Sequence, residues 1–186
     1  EPVKRQREFF ATQKTNDVEF RIKALENLKA AFTRHEEDVL FSLHEDLGKS
    51  SFDGRICAVL TTYAEIDFAL ENLREWVKPQ PKPTAPQNEP ATSYVVAEPY
   101  GVTLVMSPWN YPYSLTIHPL VGAIAAGNCC VVKPSAYGPC SSMVIAAIVE
   151  ESCEAGHVDA VLGGREANSD LRDQRSDYIL FAGSTS

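Results

Sequence analysis

The stretch 102-VTLVMSPWNYP-112 decides the fold. An uncharged apolar run from Val102 to Met106 is followed at once by two prolines, a tryptophan and an asparagine. Because proline lacks an amide donor, a central strand cannot continue through Pro108 and Pro112. The pattern therefore predicts a buried strand over 102–106, with residues 106–112 at its carboxyl end.

Downstream of this strand, helix and strand patterns alternate. The predicted elements are a helix over Tyr113–Ala126, a strand over Cys129–Lys133, a helix over Cys140–Ala155 and strands over Val158–Leu162 and Tyr178–Phe181. Such alternation is typical of a parallel sheet with right-handed crossovers, in which ligands bind at the carboxyl ends of the strands. We expect an α/β fold, with N-terminal helices followed by part of a Rossmann-like parallel sheet.

Residues 1–78 have helical periodicity. Asp17 is the predicted N-cap of one helix, a second covers His35–Leu47 and ends at Gly48, and a third covers Asp53–Val77. The apolar stripe predicted for the third helix consists of Ile56, Val59, Leu60, Tyr63, Ile66, Leu70 and Leu73.

A change of composition after residue 78 marks a boundary. Residues 79–90 contain five prolines, which predicts an extended crossing segment, and a strand, turn and second strand follow over 93–106. We divide the chain into a helical part (1–78), a proline-rich crossing segment with a strand (79–98) and a Rossmann-like core (99–186).

Composition excludes several classes of protein. The 186 residues have a net charge of −8, which argues against nucleic acid as a partner, and the basic run Lys4–Arg7 is interpreted as a solvated first helical turn. No apolar stretch is long enough to predict a membrane span, and residues 1–10 have no signal-like apolar region. Five cysteines without zinc spacing favour reduced thiols in a cytoplasmic protein.

Three strand ends have unusual residues: Met106–Asn110, Val131–Ala136 and Phe181–Thr185. Each alone is compatible with an ordinary turn, but three together favour a shared ligand. Because a buried ammonium is costly without an oxygen-rich partner, Lys133 is expected to face a crevice. Gly183 and Ser184 would let the backbone approach a phosphate, given that a helix follows.

Other motifs do not support a site. Gly48-Lys49-Ser50 looks like the end of a P-loop, but Leu43 stands where the earlier glycine is required, and G-x-G-x-x-G and G-x-S-x-G are both absent. His44-Glu45-Asp46 has no second histidine four residues on, so we expect a solvated helix face and no metal site. His118 is interpreted as a satisfied core histidine.

Four ordered motifs resemble the aldehyde dehydrogenase superfamily: SPWNYP, HPLVGAIAAGN, VVKPSA and FAGSTS. The segments LHEDLGKS and PYGV look like its class 3 branch, which acts on fatty and aromatic aldehydes, and the resemblance extends from about Asp17 to the final residue. It implies the N-terminal portion of an enzyme that oxidises an aldehyde to a carboxylic acid with NAD or NADP. It also implies a homodimer. By the same resemblance, 1–78 would be the helical part of the cofactor-binding domain, 79–98 a crossing segment with an oligomerisation-type strand, and 99–186 an incomplete Rossmann-like core.

The resemblance also assigns residues. In the family, a cysteine thiolate attacks the aldehyde, and a glutamate activates water to hydrolyse the resulting thioester. Asn110 would donate its amide to the oxyanion. Trp109 and the backbone of Met106, Ser107 and Pro108 would line the cofactor crevice, Lys133 would reach the adenosine ribose, and Gly183 and Ser184 the pyrophosphate. Ala136 departs from the family, which often has a glutamate there that holds the ribose hydroxyls. The choice between NAD and NADP as cofactor therefore stays open.

None of the five cysteines occupies the family's nucleophile motif, which lies past Ser186 together with the base glutamate. We therefore expect the chain to hold the cofactor side and the oxyanion asparagine of an active site, as a fragment of a longer enzyme. One alternative is a catalytically inactive dinucleotide-binding or dimerisation module. Another is a coenzyme A-linked or acyl phosphate reductase relative.

Overall fold

Helices fill the first part of the chain, and strands alternate with helices after it, as the hydrophobic pattern predicts. A computed structural model describes residues 2–184, so Thr185 of the predicted third strand end lies outside the described residues. The helices are α1 (Pro2–Ala11), α2 (Val18–Arg34), α3 (Glu36–Leu47), α4 (Ser51–Gly54), α5 (Thr61–Trp76), α6 (Ser114–Ala125), α7 (Pro139–Ser152) and α8 (Arg165–Asp173). The strands are β1 (Gln80–Lys82), β2 (Ser93–Val95), β3 (Val102–Met106), β4 (Cys129–Lys133), β5 (Val158–Ala160) and β6 (Tyr178–Phe181).

Four strands form a parallel sheet in the order β5-β4-β3-β6. Numbered along the chain, these four strands have the order 3-2-1-4 of a doubly wound fold, whose topological switch point lies between the first and fourth strands. Met106 is in register with Lys133 on one side and with Phe181 on the other. The expected α/β class with a Rossmann-like sheet is therefore confirmed.

Helices cover both faces of the sheet, which explains why every residue of β3 and β4 is buried. Val105, Cys130 and Val132 face the larger core, which is built with the apolar faces of α2, α3, α5, α6 and α7. The alternate side chains face a smaller core with Val3 of α1 and Leu171 of α8; they are Val102, Leu104, Met106, Cys129 and Val131.

The predicted caps of the first long helices are confirmed. Asp17 accepts a hydrogen bond from the Glu19 amide at 3.0 Å, and Gly48 ends α3 with a φ of 64°. Within residues 2–184, none of the helices combines the length and apolar character needed to cross a membrane.

The third predicted helix differs from its pattern. It begins two residues early, where the Ser50 hydroxyl accepts the Asp53 amide at 3.1 Å, and a π-helical turn at Arg55–Leu60 separates α4 from α5. The wider turn shifts the phase of the helix, so Ile56 and Leu60 are 44% and 54% exposed and do not belong to the buried stripe.

The basic run at the N-terminus is not a solvated turn. Arg5 pairs with Asp159, Arg7 pairs with Asp177 at 3.1 Å, and the buried Gln6 amide donates to the Cys130 carbonyl at 2.7 Å. Since α1 lies against β3 and β4, its polar groups meet carboxylates that lie about 150 residues away in sequence.

The two strands expected over 93–106 do not pair with each other. β2 pairs antiparallel with β1 of the proline-rich segment, and Thr84 donates to Ser93 at 3.1 Å. The strand expected over 158–162 ends at Ala160, the helix expected over 140–155 begins at Pro139 and ends at Ser152, and α8 was not predicted.

Candidate functional site

The ends of β4, β3 and β6 lie side by side. The Ser107 amide donates to the Lys133 carbonyl at 3.2 Å, and the Ala182 amide donates to the Met106 carbonyl at 3.0 Å. Adjacent strands are about 4.8 Å apart, so the two outer strand ends are separated by only about 10 Å. The three predicted segments thus leave the sheet at one edge, next to its switch point.

The segment after β3 has a fixed base and an exposed middle. Met106 and Ser107 are buried, and the Ser107 and Thr116 hydroxyls are hydrogen-bonded. Pro108 is half-buried, Trp109 is 51% exposed, and Asn110 is exposed. These exposed side chains are available to a ligand at this edge.

The far end of this segment is anchored by Tyr113, whose side chain is fully buried. Its hydroxyl is hydrogen-bonded with Ser42 of α3, and burial raises the pKa of the phenol well above its usual value. Tyr113 therefore has a structural role and stays protonated.

Lys133 is the most unusual group at the edge. Its side chain is 3% exposed, and the ammonium donates to the Pro134 carbonyl at 2.7 Å. Burial lowers the pKa of this lysine, and no charged group among residues 2–184 offsets the effect. Because a buried ammonium with a single carbonyl partner is costly, further oxygen acceptors would be favourable here.

Ala136 is exposed in the turn between β4 and α7. The turn is held by the Ser142 hydroxyl, which donates to the Ser135 carbonyl at 2.7 Å. Asp46 of α3 accepts the first amides of α7, from Cys140 at 3.2 Å and Ser141 at 2.7 Å. The expectation of a solvated helix face at His44–Asp46 is therefore wrong for Asp46, which caps a neighbouring helix.

Gly183 and Ser184 follow β6 at the same edge. A Cβ at Gly183 would lie 2.6 Å from the Phe181 ring, so the absence of a side chain allows this close approach. The helix expected after Ser184 lies outside the described residues, and the proposed pyrophosphate contact stays a prediction.

Three of the five cysteines are poor nucleophiles. Burial raises the pKa of the Cys129 and Cys130 thiols to about 12 and that of Cys153 to about 11. A protonated thiol is not a nucleophile, since the thiolate is the reactive form. All five cysteines are free, and Cys57, Cys140 and Cys153 are only partly buried.

The histidine expectation is corrected. His118 is half-buried, its Nε2 has no hydrogen-bond partner, and burial lowers its pKa, so it is not a satisfied core histidine. Among residues 2–184, no cluster of three His, Cys, Asp or Glu side chains could hold a metal ion.

Sequence reasoning missed two contacts of the α3 terminus. One is the Asp46 cap, and the other is Lys49, whose ammonium donates to the Asn110 carbonyl at 3.3 Å. Both residues belong to the LHEDLGKS segment, which the family resemblance singled out. Their partners are distant in sequence: those of Asp46 lie about 95 residues further along the chain, and that of Lys49 about 60.

The strand order defines a doubly wound α/β fold, with an exposed Trp-Asn segment and a buried lysine at neighbouring strand ends. Residues 2–186 match the model of the aldehyde dehydrogenase family. The chain belongs to the aldehyde dehydrogenase family.

Relatives and solved structures agree. The chain is 37% identical over 184 residues to mouse (Mus musculus) aldehyde dehydrogenase family 3 member B3, covering 99% of the chain and 38% of that protein. It is 35% identical over 185 residues to the "Aldehyde dehydrogenase, dimeric NADP-preferring" of Canis lupus familiaris, covering 100% of the chain and 41% of that protein. These relatives confirm the expected class 3 resemblance.

A solved structure titled "Substrate bound state of Staphylococcus Aureus AldH" superimposes with a TM-score of 0.94 at 35% identity, covering 97% of the chain and 39% of that structure. The chain therefore spans about two fifths of the length of the relatives it matches.

Proposed function

We propose that the chain forms the cofactor side of an enzyme that oxidises an aldehyde to a carboxylic acid with NAD or NADP. The observation that carries this proposal is Lys133: a buried ammonium with one carbonyl partner, at the edge shared with Trp109 and Asn110. Retaining such a group costs stability, so a role in binding explains its presence better than packing does.

The residues at the edge fit a dinucleotide. Lys133 would donate to the hydroxyls of the adenosine ribose, and Gly183 and Ser184 would meet the pyrophosphate. The backbone of 106–108 and the exposed Trp109 ring would line the nicotinamide half. The bound nicotinamide would accept a hydride, and Asn110 would donate its side-chain amide to the oxyanion that develops on the substrate carbonyl.

We infer that the nucleophile of the family reaction is not among the five cysteines; in support, burial raises the pKa of the thiols of Cys129, Cys130 and Cys153. We propose that the cysteine and the base glutamate belong to sequence beyond these 186 residues. The units 1–78, 79–98 and 99–186 would then be the helical part, the crossing segment and the cofactor-binding core of the longer enzyme.

Cofactor preference depends on Ala136. An exposed alanine offers no carboxylate to hold the ribose hydroxyls and none to repel a 2′-phosphate, so NADP should be accepted along with NAD. The canine relative is named NADP-preferring and dimeric. A homodimer is proposed on the same basis, and a reducing cytoplasmic compartment is proposed from the five free cysteines.

A second candidate is an inactive dinucleotide-binding or dimer-forming module, favoured by the protonated thiols. A coenzyme A-linked or acyl phosphate reductase relative is disfavoured by the pairing of PWN with KPS in one chain.

Intact mass and turnover test these functions together. The isolated protein is weighed and then assayed with NAD, NADP and a medium-chain or aromatic aldehyde. The dehydrogenase proposal expects turnover in a protein heavier than 20.5 kDa. Asn110→Ala should lower kcat by about 10²- to 10³-fold. The matched control is Asn88→Ala, at an exposed asparagine of the proline-rich crossing segment.

Other outcomes separate the candidates. Saturable cofactor binding without turnover supports the inactive module. Turnover that requires coenzyme A or an acyl phosphate supports the reductase relative. Absence of cofactor binding overturns the dehydrogenase, the reductase relative and the dinucleotide-binding module, and leaves a dimer-forming module.

A further inference from the structure

The Gly48-Lys49-Ser50 tripeptide links two capped helices. Gly48 ends α3 in the left-handed region, and the Lys49 amide donates to the Leu43 carbonyl at 3.3 Å. The His44 ring nitrogen Nδ1 lies 3.2 Å from the Lys49 carbonyl oxygen, and Ser50 caps α4. The Lys49 backbone is therefore held on both sides, and its side chain projects from a fixed point.

That side chain reaches the segment that carries Asn110. The Lys49 ammonium donates to the Asn110 carbonyl at 3.3 Å and lies 4.2 Å from the centroid of the Tyr111 ring. The same ammonium group thus contacts two consecutive residues, one by a hydrogen bond and the other by a cation–π interaction.

The two ends of the segment do not need this contact. Ser107 is bonded to the Lys133 carbonyl, and the buried Tyr113 is bonded to Ser42. Lys49 therefore acts on the exposed middle of the segment, beside one further backbone contact from α6: the Leu115 amide donates to the Tyr111 carbonyl at 2.9 Å, whereas the Asn110 carbonyl is bonded by Lys49.

We propose that Lys49 is a positioning residue: it fixes the Asn110–Tyr111 peptide, so that the Asn110 side chain points to one place at the strand-end edge. Its catalytic consequence rests on the function proposed above for Asn110. The GKS motif is thus a brace between α3 and the candidate site and does not bind phosphate.

Backbone order tests the brace without any need for activity. Nitrogen-15 relaxation is measured at Asn110 and Tyr111 in the wild type, Lys49→Met, Lys49→Arg and Lys23→Met. Lys23 is an exposed lysine of α2 that pairs only within its own helix, so its variant is the matched control. The wild type and the control should have order parameters of about 0.85, and Lys49→Met should fall below about 0.6.

Lys49→Arg should restore order, because arginine can also donate to a carbonyl and stack on a tyrosine ring. The melting temperature of Lys49→Met should match that of the control, since both anchors of the segment remain. Equal order parameters in the wild type and Lys49→Met, or a wild-type value already below about 0.6, overturn the proposal.

The turnover assay supplies the second measurement. Lys49→Met should lower kcat by about tenfold with the KM for cofactor unchanged, and Lys49→Arg should recover most of the loss. A loss of order in Lys49→Met in a protein without turnover supports the brace and counts against the proposed enzyme function. Unchanged kcat in an active but disordered Lys49→Met overturns the positioning role.

Discussion

Protonation of His157 should weaken the attachment of the N-terminal helices to the sheet. The ring is 1% exposed, lies 5.7 Å from the Phe9 ring of α1 and 4.9 Å from the Phe20 ring of α2, and has an unpartnered Nε2. Its carbonyl accepts the Cys130 amide at 2.9 Å, so the same residue holds the start of β4. A charged imidazolium in this aromatic cluster would lack solvation.

The size of the effect follows from the pKa. Burial lowers the pKa of His157 from 6.5 to about 4; Glu154 opposes the shift, and Lys14, which is paired with Glu154 at 2.6 Å, adds to it. At 1.36 kcal/mol per pKa unit, the difference is roughly 3 kcal/mol. The unfolded chain binds the proton first, so this stability is complete above about pH 6.5 and is lost as the pH falls toward 4.

Denaturant unfolding between pH 7.5 and 4.5 measures the effect in the wild type and His157→Phe. We expect the wild type to lose roughly 2 to 3 kcal/mol more than the variant over this range. His35 has the opposite sign, because hydrogen bonds to Asp38 and Glu151 raise its pKa and stabilise the acidic form. Its replacement by glutamine should therefore steepen the loss. Parallel pH profiles for the wild type and His157→Phe would refute the reasoning.

Substitutions at four further positions test particular features of the structure. Asp46→Ala should cost about 1 to 2 kcal/mol of unfolding free energy, because two α7 amides lose their acceptor, and Asp46→Asn should cost less; equal costs would contradict the cap. Gly127→Ala should lower the melting temperature, because the φ of Gly127 is 85° and a Cβ there would lie 2.6 Å from the Arg21 guanidinium. Gly122→Ala should raise the melting temperature, because a Cβ at this position within α6 meets no other atom. Ala136→Glu should shift the binding preference from NADP toward NAD when each cofactor is titrated. An unchanged ratio of the two affinities would mean that residue 136 does not determine the choice of cofactor.

The sheet could be predicted from sequence because its signal is local. β3 and β4 are apolar runs that end in proline-containing turns, and the alternation with helices fixes the parallel arrangement. The caps at Asp17 and Gly48 were predictable for the same reason, since each depends on residues within one helical turn. Strand order then brings the three unusual strand ends to one edge.

The remaining features depend on distant partners. From the sequence, the basic residues of α1 are expected to be solvated. In the fold, Asp159 and Asp177 lie next to them and pair with them. The sequence of β2 is compatible with pairing to β1 or to β3, because a strand this short does not determine its partner. Lys49 and Asp46 lie on an ordinary helix end, and only the packing of α3 beside the strand-end segments gives them contacts with the candidate site.

The most direct test of the account is a cofactor titration of Lys133→Met. Both proteins carry Trp76→Phe, so that Trp109 is the only tryptophan within these 186 residues, and NAD is added up to about 1 mM, the weak end of usual KM values. The account predicts saturable quenching in the parent and none in Lys133→Met, whose melting temperature should be equal or higher because a buried ammonium is gone. Equal quenching in both proteins, or no saturable change in the parent, would contradict the claim that these strand ends bind the dinucleotide.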